Sequence, residues 1–401
     1  MRGIFRAFWN FLAIRCLRAA LVPVMLAGLL TCLGTATASA ATCVSWSGTP
    51  AVSPRASGNL LAATTVLSPC DAWAVGWGSS GGVNQTLIEH WDGASWAVVA
   101  SPDPGTGANV LNGVHAISAD DVWAVGTFSN GAGVDQTLIL HWNGTKWTQV
   151  ASPNPGSTAS LSGIDAVSAS DAWAVGQYAV LAASATGRPA ALGTHTLVLR
   201  WNGSTWKQVA SPNPAGGGGL TAVTATSASN AWAVGGFAGT GGTNQNMILR
   251  WNGTAWKRQA SPAPGTASGL AAADATSASS AWAVGFVISG GVIQTLTLHW
   301  NGTAWAQIPS PDVGASANDL NGVAAVSASN AMVVGNYDTP GGENTLVLRW
   351  DGTRWVQVPS PTPGGVQASL LGITASSASD FWAAGFFQTA TAGGALILHC
   401  C

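Results

Sequence analysis

The chain has 401 residues, of which 47 % are hydrophobic and only 7 % charged, and 14 basic against 16 acidic residues leave a formal net charge of −2. That balance argues against nucleic acid as a partner, because displacing its counterions requires a basic stripe. So few charges leave Ser, Thr, Asn, Gly and Ala to cover the surface, which suits packing against wall polymer or against copies of the chain itself.

Arg2, Arg6, Arg15 and Arg18 precede an apolar stretch from Ala19 to Leu33, and Ala38-Ser39-Ala40 follows. A basic region, a short apolar core and a small-x-small site predict a secretory signal peptide over residues 1–40, cleaved after Ala40. The apolar run is shorter than a membrane span and Pro23 interrupts it, which weighs against a retained anchor. The expected mature chain, 41–401, is secreted and extracellular, with no membrane span, and keeps 10 basic and 16 acidic residues. Its four cysteines are Cys43, Cys70, Cys400 and Cys401, an even number in an oxidising compartment. No CxxC spacing supports a metal site, so disulfides are favoured, with three pairings open.

From Asp71 onward one phrase organises the chain. Asp71-Ala-Trp-Ala-Val-Gly76 returns as Asp121–Gly126, Asp171–Gly176, Asn230–Gly235, Ser280–Gly285, Asn330–Gly335 and Asp380–Gly385, in steps of 50, 50, 59, 50, 50 and 50 residues. A period near 50 residues, built of short apolar runs, signals a radial β array. Residues 110–155 show the unit. Leu111–Ser118 reads as a first strand, Ser118–Asp121 as a turn, Asp121–Gly126 as a second strand and Thr137–Trp142 as a third. Asn143-Gly144 is a hairpin turn, because both residues tolerate positive φ. Trp147–Pro153 is the fourth strand, closed by Pro153 and Pro155, which cannot extend a ladder.

Four strands in each of seven repeats predict an all-β chain, a seven-bladed β-propeller of four-stranded antiparallel blades. The blades fall at about 60–104, 110–155, 160–214, 219–264, 269–313, 319–364 and 369–401 plus 43–54. Tryptophans such as Trp73, Trp91 and Trp96, or Trp232, Trp251 and Trp256, supply the filling between blades. Met332 takes the place of one of them in blade 6, a volume-tolerant exchange. Blade 7 stops at Cys401, where other blades continue into Trp-Asn-Gly and a fourth strand; Trp46–Thr49 and Val52–Pro54 echo what is missing. An N-terminal strand is therefore expected to complete the last blade. Cys43 would then lie beside Cys400 or Cys401, with a second bridge from Cys70 to the remaining terminal cysteine.

A strand ending in Gly, a variable loop, a strand leading to Asn/Asp-Gly and Trp, and then Pro-x-Pro, resembles the kelch repeat and the kelch-type propeller domain of galactose oxidase. The resemblance covers the expected mature chain and implies propeller architecture. The kelch double glycine appears after the second strand only at Gly235-Gly236, and the third-strand Tyr is missing. The copper chemistry of galactose oxidase needs tyrosines and histidines, and only Tyr178 and Tyr337 exist here, at equivalent blade positions. That chemistry is not carried over, and no cofactor is expected.

Comparison between blades separates scaffold from candidate site. Six residues before each signature, on the innermost strand, stand Thr65, His115, Asp165, Thr224, Asp274, Ala324 and Thr374. His115, Asp165 and Asp274 would converge on the central channel, as a cation or small-ligand site or as a water-filled polar lining. Two residues beyond each signature glycine, five blades carry an aromatic: Phe128, Tyr178, Phe237, Tyr337 and Phe387. These would stack on sugar rings or cap the hydrophobic core. A third set, His90, His141, Arg200, Arg250, His299, Arg349 and His399, reads as structural, each bonding to a turn in the neighbouring blade. The loop Ala179–Thr194 carries the nine extra residues of blade 3 and is the most individual surface feature.

Five sequons begin at Asn84, Asn143, Asn202, Asn252 and Asn301, and four of them coincide with the hairpin turn. No nucleophile elbow, zinc helix, P-loop or dinucleotide fingerprint is present, and the innermost strands lack the arginines of a sialidase-like centre. The leading expectation is a non-enzymatic binding or interaction propeller with extracellular carbohydrate or protein as partner. A hydrolase or lyase working through the channel residues, and a self-assembling structural coat, are the alternatives.

Overall fold

The second strand of each repeat holds an unbroken buried run, as in Asp121–Ser129, where Val122 to Gly126 are all buried. Both faces are covered by neighbouring sheets, so the strand needs no apolar–polar alternation. The structure, a computed structural model, describes residues 43, 45–49, 51–55, 58–181, 192–363 and 365–401. The segment expected to be a signal peptide, 1–40, and most of the enlarged blade-3 loop, 182–191, lie outside the described residues.

Blade 2 runs Asn109–Ser118, Asp121–Ser129, Asp135–Trp142 and Trp147–Gln149, each strand antiparallel to the next. Five blades form separate four-stranded sheets in this order; blades 6 and 7 are joined only by one parallel bridge, Glu343 opposite Gln367. The fourth strands are shorter than the sequence predicts, three or four residues long. The Pro-x-Pro segment beyond them is held instead by side chains. Thr137 Oγ1 lies 2.7 Å from Ser152 Oγ, and the Thr137 N–H donates to Asn154 Oδ1 at 2.6 Å. Blades 1, 3 and 5 repeat the arrangement through Thr86, Thr196 and Thr295.

The hairpin turns follow the Asn/Asp-Gly chemistry. Gly144 sits at φ +84°, and Asn143 Oδ1 accepts from the N–H of both Thr145 and Lys146 at 3.1 Å. The signature glycine has a different reason. A Cβ on Gly126 would stand 1.9 Å from the Val110 carbonyl oxygen, so only the bare residue lets the first strand cross there.

Seven apolar clusters occupy the seven interfaces between blades, including the one between blade 7 and blade 1 that closes the ring. In six of them three indoles meet. Trp73 of blade 1, for example, packs on Trp142 and Trp147 of blade 2 at 5.1 and 5.4 Å, the second contact edge to face. The interface between blades 6 and 7 departs from this. Met332 replaces the signature indole, Trp46 supplies the outer one, and the Cys43–Cys400 disulfide stands where other blades place the third-strand Trp.

Ser47–Thr49 pairs antiparallel with the last strand, Ser47 opposite His399 and Thr49 opposite Ile397. The N-terminal segment therefore completes blade 7, and Cys43 is bonded to Cys400 across a Cα–Cα distance of 5.6 Å. Cys401 is exposed and free, so the expected second bridge to Cys70 is not formed: the last blade ends in the Cys400 disulfide and carries its final residue out to solvent.

Candidate functional site

In every first strand the ladder slips by one residue, between Leu61 and Ala63, Leu111 and Gly113, Leu161 and Gly163, and likewise in the other four blades. Such bulges re-aim a side chain. Three of the bulged residues stitch their blade to the next. Asn112 Nδ2 donates to the Leu161 carbonyl at 2.8 Å, Thr221 Oγ1 to that of Leu270 at 2.8 Å, and Asn321 Nδ2 to that of Leu370 at 3.0 Å.

Below this tier, Thr64, Val114, Ile164, Val223, Ala273, Val323 and Ile373 form a collar that divides the central channel. Beneath the collar lies a cavity of about 350 Å³, and there the sequence-predicted trio meets. His115 Nδ1 is 2.7 Å from Asp165 Oδ1, with 28 % and 16 % of the two side chains exposed to the channel. Asp165 also accepts from the N–H of Ala166 at 2.9 Å and from that of Ala225, in blade 4, at 2.6 Å. Asp274 repeats the pattern with Ala275 at 2.8 Å and Ala325, in blade 6, at 2.7 Å. Thr65 accepts from the Ala116 N–H of blade 2 at 3.2 Å. Thr65, His115, Asp165 and Asp274 thus each tie their blade to its successor, and no group of three or more metal-ligating side chains assembles among the described residues.

Burial pushes the Asp274 carboxyl up to about 6, with Asp165 adding to the rise. Burial works against the charge of His115, but the Asp165 carboxylate, with Asp274 and Asp121 beyond it, outweighs that, and the imidazole titrates above its ordinary value. Asp165→Asn should therefore lower the His115 titration midpoint, read from its ring-proton NMR shifts against pH. An unchanged midpoint would show that the pair is not electrostatically coupled.

The cationic ring is structural: Arg200 and Arg250 donate to the Ala228 and Ala278 carbonyls in the turns of their neighbouring blades at 3.3 Å, as expected, and other contacts lie within the same blade. His141 Nε2 meets Asp121 at 2.8 Å, His399 meets Asp380 at 2.8 Å, and Arg200 grips Asp171 through Nε and a terminal nitrogen at 2.8 and 2.9 Å. The reason is register: Trp123 stands directly opposite His141 on the adjacent strand, which brings the first residue of the signature within reach. Six of the seven also cover a signature indole, among them His399 over Trp382 at 3.7 Å and Arg200 over Trp173 at 4.7 Å; Arg349 stands opposite Met332 instead.

The five aromatics beyond the signature glycines do not converge. Phe128, Tyr178, Phe237, Tyr337 and Phe387 each cap a different inter-blade cluster. Tyr178 is in addition stacked on His195 at 5.1 Å, beside the undescribed part of the blade-3 loop. Two features escaped the sequence reading. Glu89 is fully buried in blade 1, opposite Ala74, where the other blades place a leucine. Trp77 and Phe386, one residue beyond their signature glycines, line a cleft of about 560 Å³ at the closing seam.

No protein-family model matches the chain, and no curated protein matches it. Solved structures do resemble it. YCF48 from Cyanidioschyzon merolae superposes with a TM-score of 0.55 at 15 % identity, covering 89 % of this chain and 98 % of that one. YCF48 bound to a D1 peptide gives 0.52 at 16 %, covering 88 % and 96 %. An ulvan lyase of polysaccharide lyase family PL25, bound to a GlcA–Rha3S unit, gives 0.54 at 10 %, covering 89 % and 94 %. At these identities the likeness establishes the propeller fold and nothing narrower.

Proposed function

We propose that the chain is a secreted, non-enzymatic binding propeller whose partner, an extracellular carbohydrate or protein, docks on the face bearing the variable loops. One observation carries the reading: His115, Asp165 and Asp274 are committed to hydrogen bonds that join neighbouring blades. The collar separates them from the loop face, so variation between blades that the scaffold does not need is concentrated in the loops. The Cys43–Cys400 disulfide agrees with an oxidising compartment, and no helix among the described residues is long and apolar enough to cross a membrane. Propellers of similar fold hold a peptide in one case and a saccharide in another.

A lyase or hydrolase reading draws on the 2.7 Å His115–Asp165 contact, which would orient a general base in the channel. Both readings are tested by screening purified 41–401 against wall polysaccharides, glycan arrays and extracellular proteins. The binding reading expects saturable binding with the bound polymer recovered uncut. Polymer cleavage that His115→Ala abolishes would replace it with the enzymatic one.

A further inference from the structure

The residue following the signature glycine differs in every blade but two: Trp77, Thr127, Gln177, Gly236, Phe286, Asn336 and Phe386. Its variability shows that the scaffold does not require an aromatic there. Blades 7 and 1, brought side by side by ring closure, are the one adjacent pair that both carry an aromatic at this station. In blade 5 the ring of Phe286 is received by bare Gly269, whose Cβ position lies 2.8 Å from a ring carbon. Opposite Trp77 and Phe386 that place is filled by Leu60 and Ser369. Both rings are half-buried, as is Phe286, but they alone of the three line the seam cleft.

The cleft's chemistry narrows its occupant. Its volume of about 560 Å³ lies within the range of about 300–1,000 Å³ usual for small-ligand sites. None of the described residues that line it is charged. Asn59, in its wall, is fixed by hydrogen bonds to the Arg55 backbone at 3.1 and 2.8 Å. Gln388 and Thr391 stand exposed at the rim, where an amide and a hydroxyl can meet ligand hydroxyls. Flat aromatic faces match the C–H faces of a pyranose ring, and an uncharged rim matches a neutral sugar rather than a uronate or a charged peptide.

We infer that the cleft between blades 7 and 1, lined by Trp77 and Phe386, binds a neutral pyranoside chain, an inference that rests on the binding-propeller reading above. Calorimetric titration of 41–401 with cello-, xylo-, manno- and chitohexaose, and with hexagalacturonate as the acidic control, tests it. At least one neutral hexasaccharide should bind, and Trp77→Ala and Phe386→Ala should each weaken it tenfold or more. Phe386→Tyr should bind within threefold of wild type, and Thr391→Arg, at the exposed rim, should weaken binding without lowering the melting temperature. The last variant keeps the test valid should an aromatic truncation fail to fold. Neutral-sugar binding that is equal in all variants would overturn this site while leaving the binding module standing. Binding of hexagalacturonate alone would overturn the neutral-sugar assignment. If no hexasaccharide binds, the cleft is not a saccharide site, and binding of an extracellular protein in the wider screen would show that the broader reading survives.

Discussion

Replacing Cys43 and Cys400 together by serine should lower the unfolding free energy by about 2–5 kcal/mol, the usual range for a native disulfide. The bond joins positions 357 residues apart, so its loss releases almost the whole described chain in the unfolded state. The folded state loses too, because this bond and Met332 fill an interface where the other six have a third-strand and a signature indole. The variant is best built on Cys401→Ser, since the exposed Cys401 thiol is adjacent in sequence and free to re-pair. Denaturant unfolding followed by tryptophan fluorescence gives the number. A loss below about 0.5 kcal/mol would mean that the ring is held by pairing and packing alone.

Glu89→Gln should act in the opposite direction, making the protein more stable at pH 8. Glu89 Oε2 accepts from the Val52 N–H at 3.0 Å, while Oε1 is buried without a partner. Burial pushes the carboxyl up to about 7, the Val52 hydrogen bond only partly opposing it. The folded state therefore holds the proton more tightly than the unfolded chain. The stabilisation from that proton is fully present below about pH 4.5 and is lost as pH rises through about 7. At about 1.4 kcal/mol per pKa unit the swing is about 3 kcal/mol. Glutamine keeps an acceptor for Val52 and never ionises, so its unfolding free energy should fall less between pH 5 and pH 8. Equal slopes in the two proteins would show that Glu89 is solvated and titrates normally.

The two features behind these predictions differ in how far the sequence exposed them. The truncated blade 7 and the Trp46-Ser-Gly echo made the completing strand legible, because a hairpin pattern broken at one end must be finished at the other. The pairing of Cys43 with Cys400, rather than with Cys401, depends on which face of the last strand each residue occupies, and only the register Ser47↔His399 fixes that. Glu89 left a signal, an acidic residue where six repeats carry leucine, but a lone departure has no counterpart in another blade to mark it as part of a site. The channel trio was legible because repeat comparison aligns residues that lie at one height around the axis. What its members bond to was not, since the one-residue bulges that bring blades within hydrogen-bonding reach leave no mark in composition or periodicity. Trp77 and Phe386 are 309 positions apart in sequence and become neighbours only once the ring is closed.

Hydrogen–deuterium exchange of residues 45–49 tests the closed ring most directly. The account predicts that these amides exchange about as slowly as those of Gly393–Cys400, the strand they pair with, and that both accelerate together when Cys43 and Cys400 are replaced. Exchange of 45–49 within seconds, beside a protected last strand, would contradict it and leave the seventh blade one strand short.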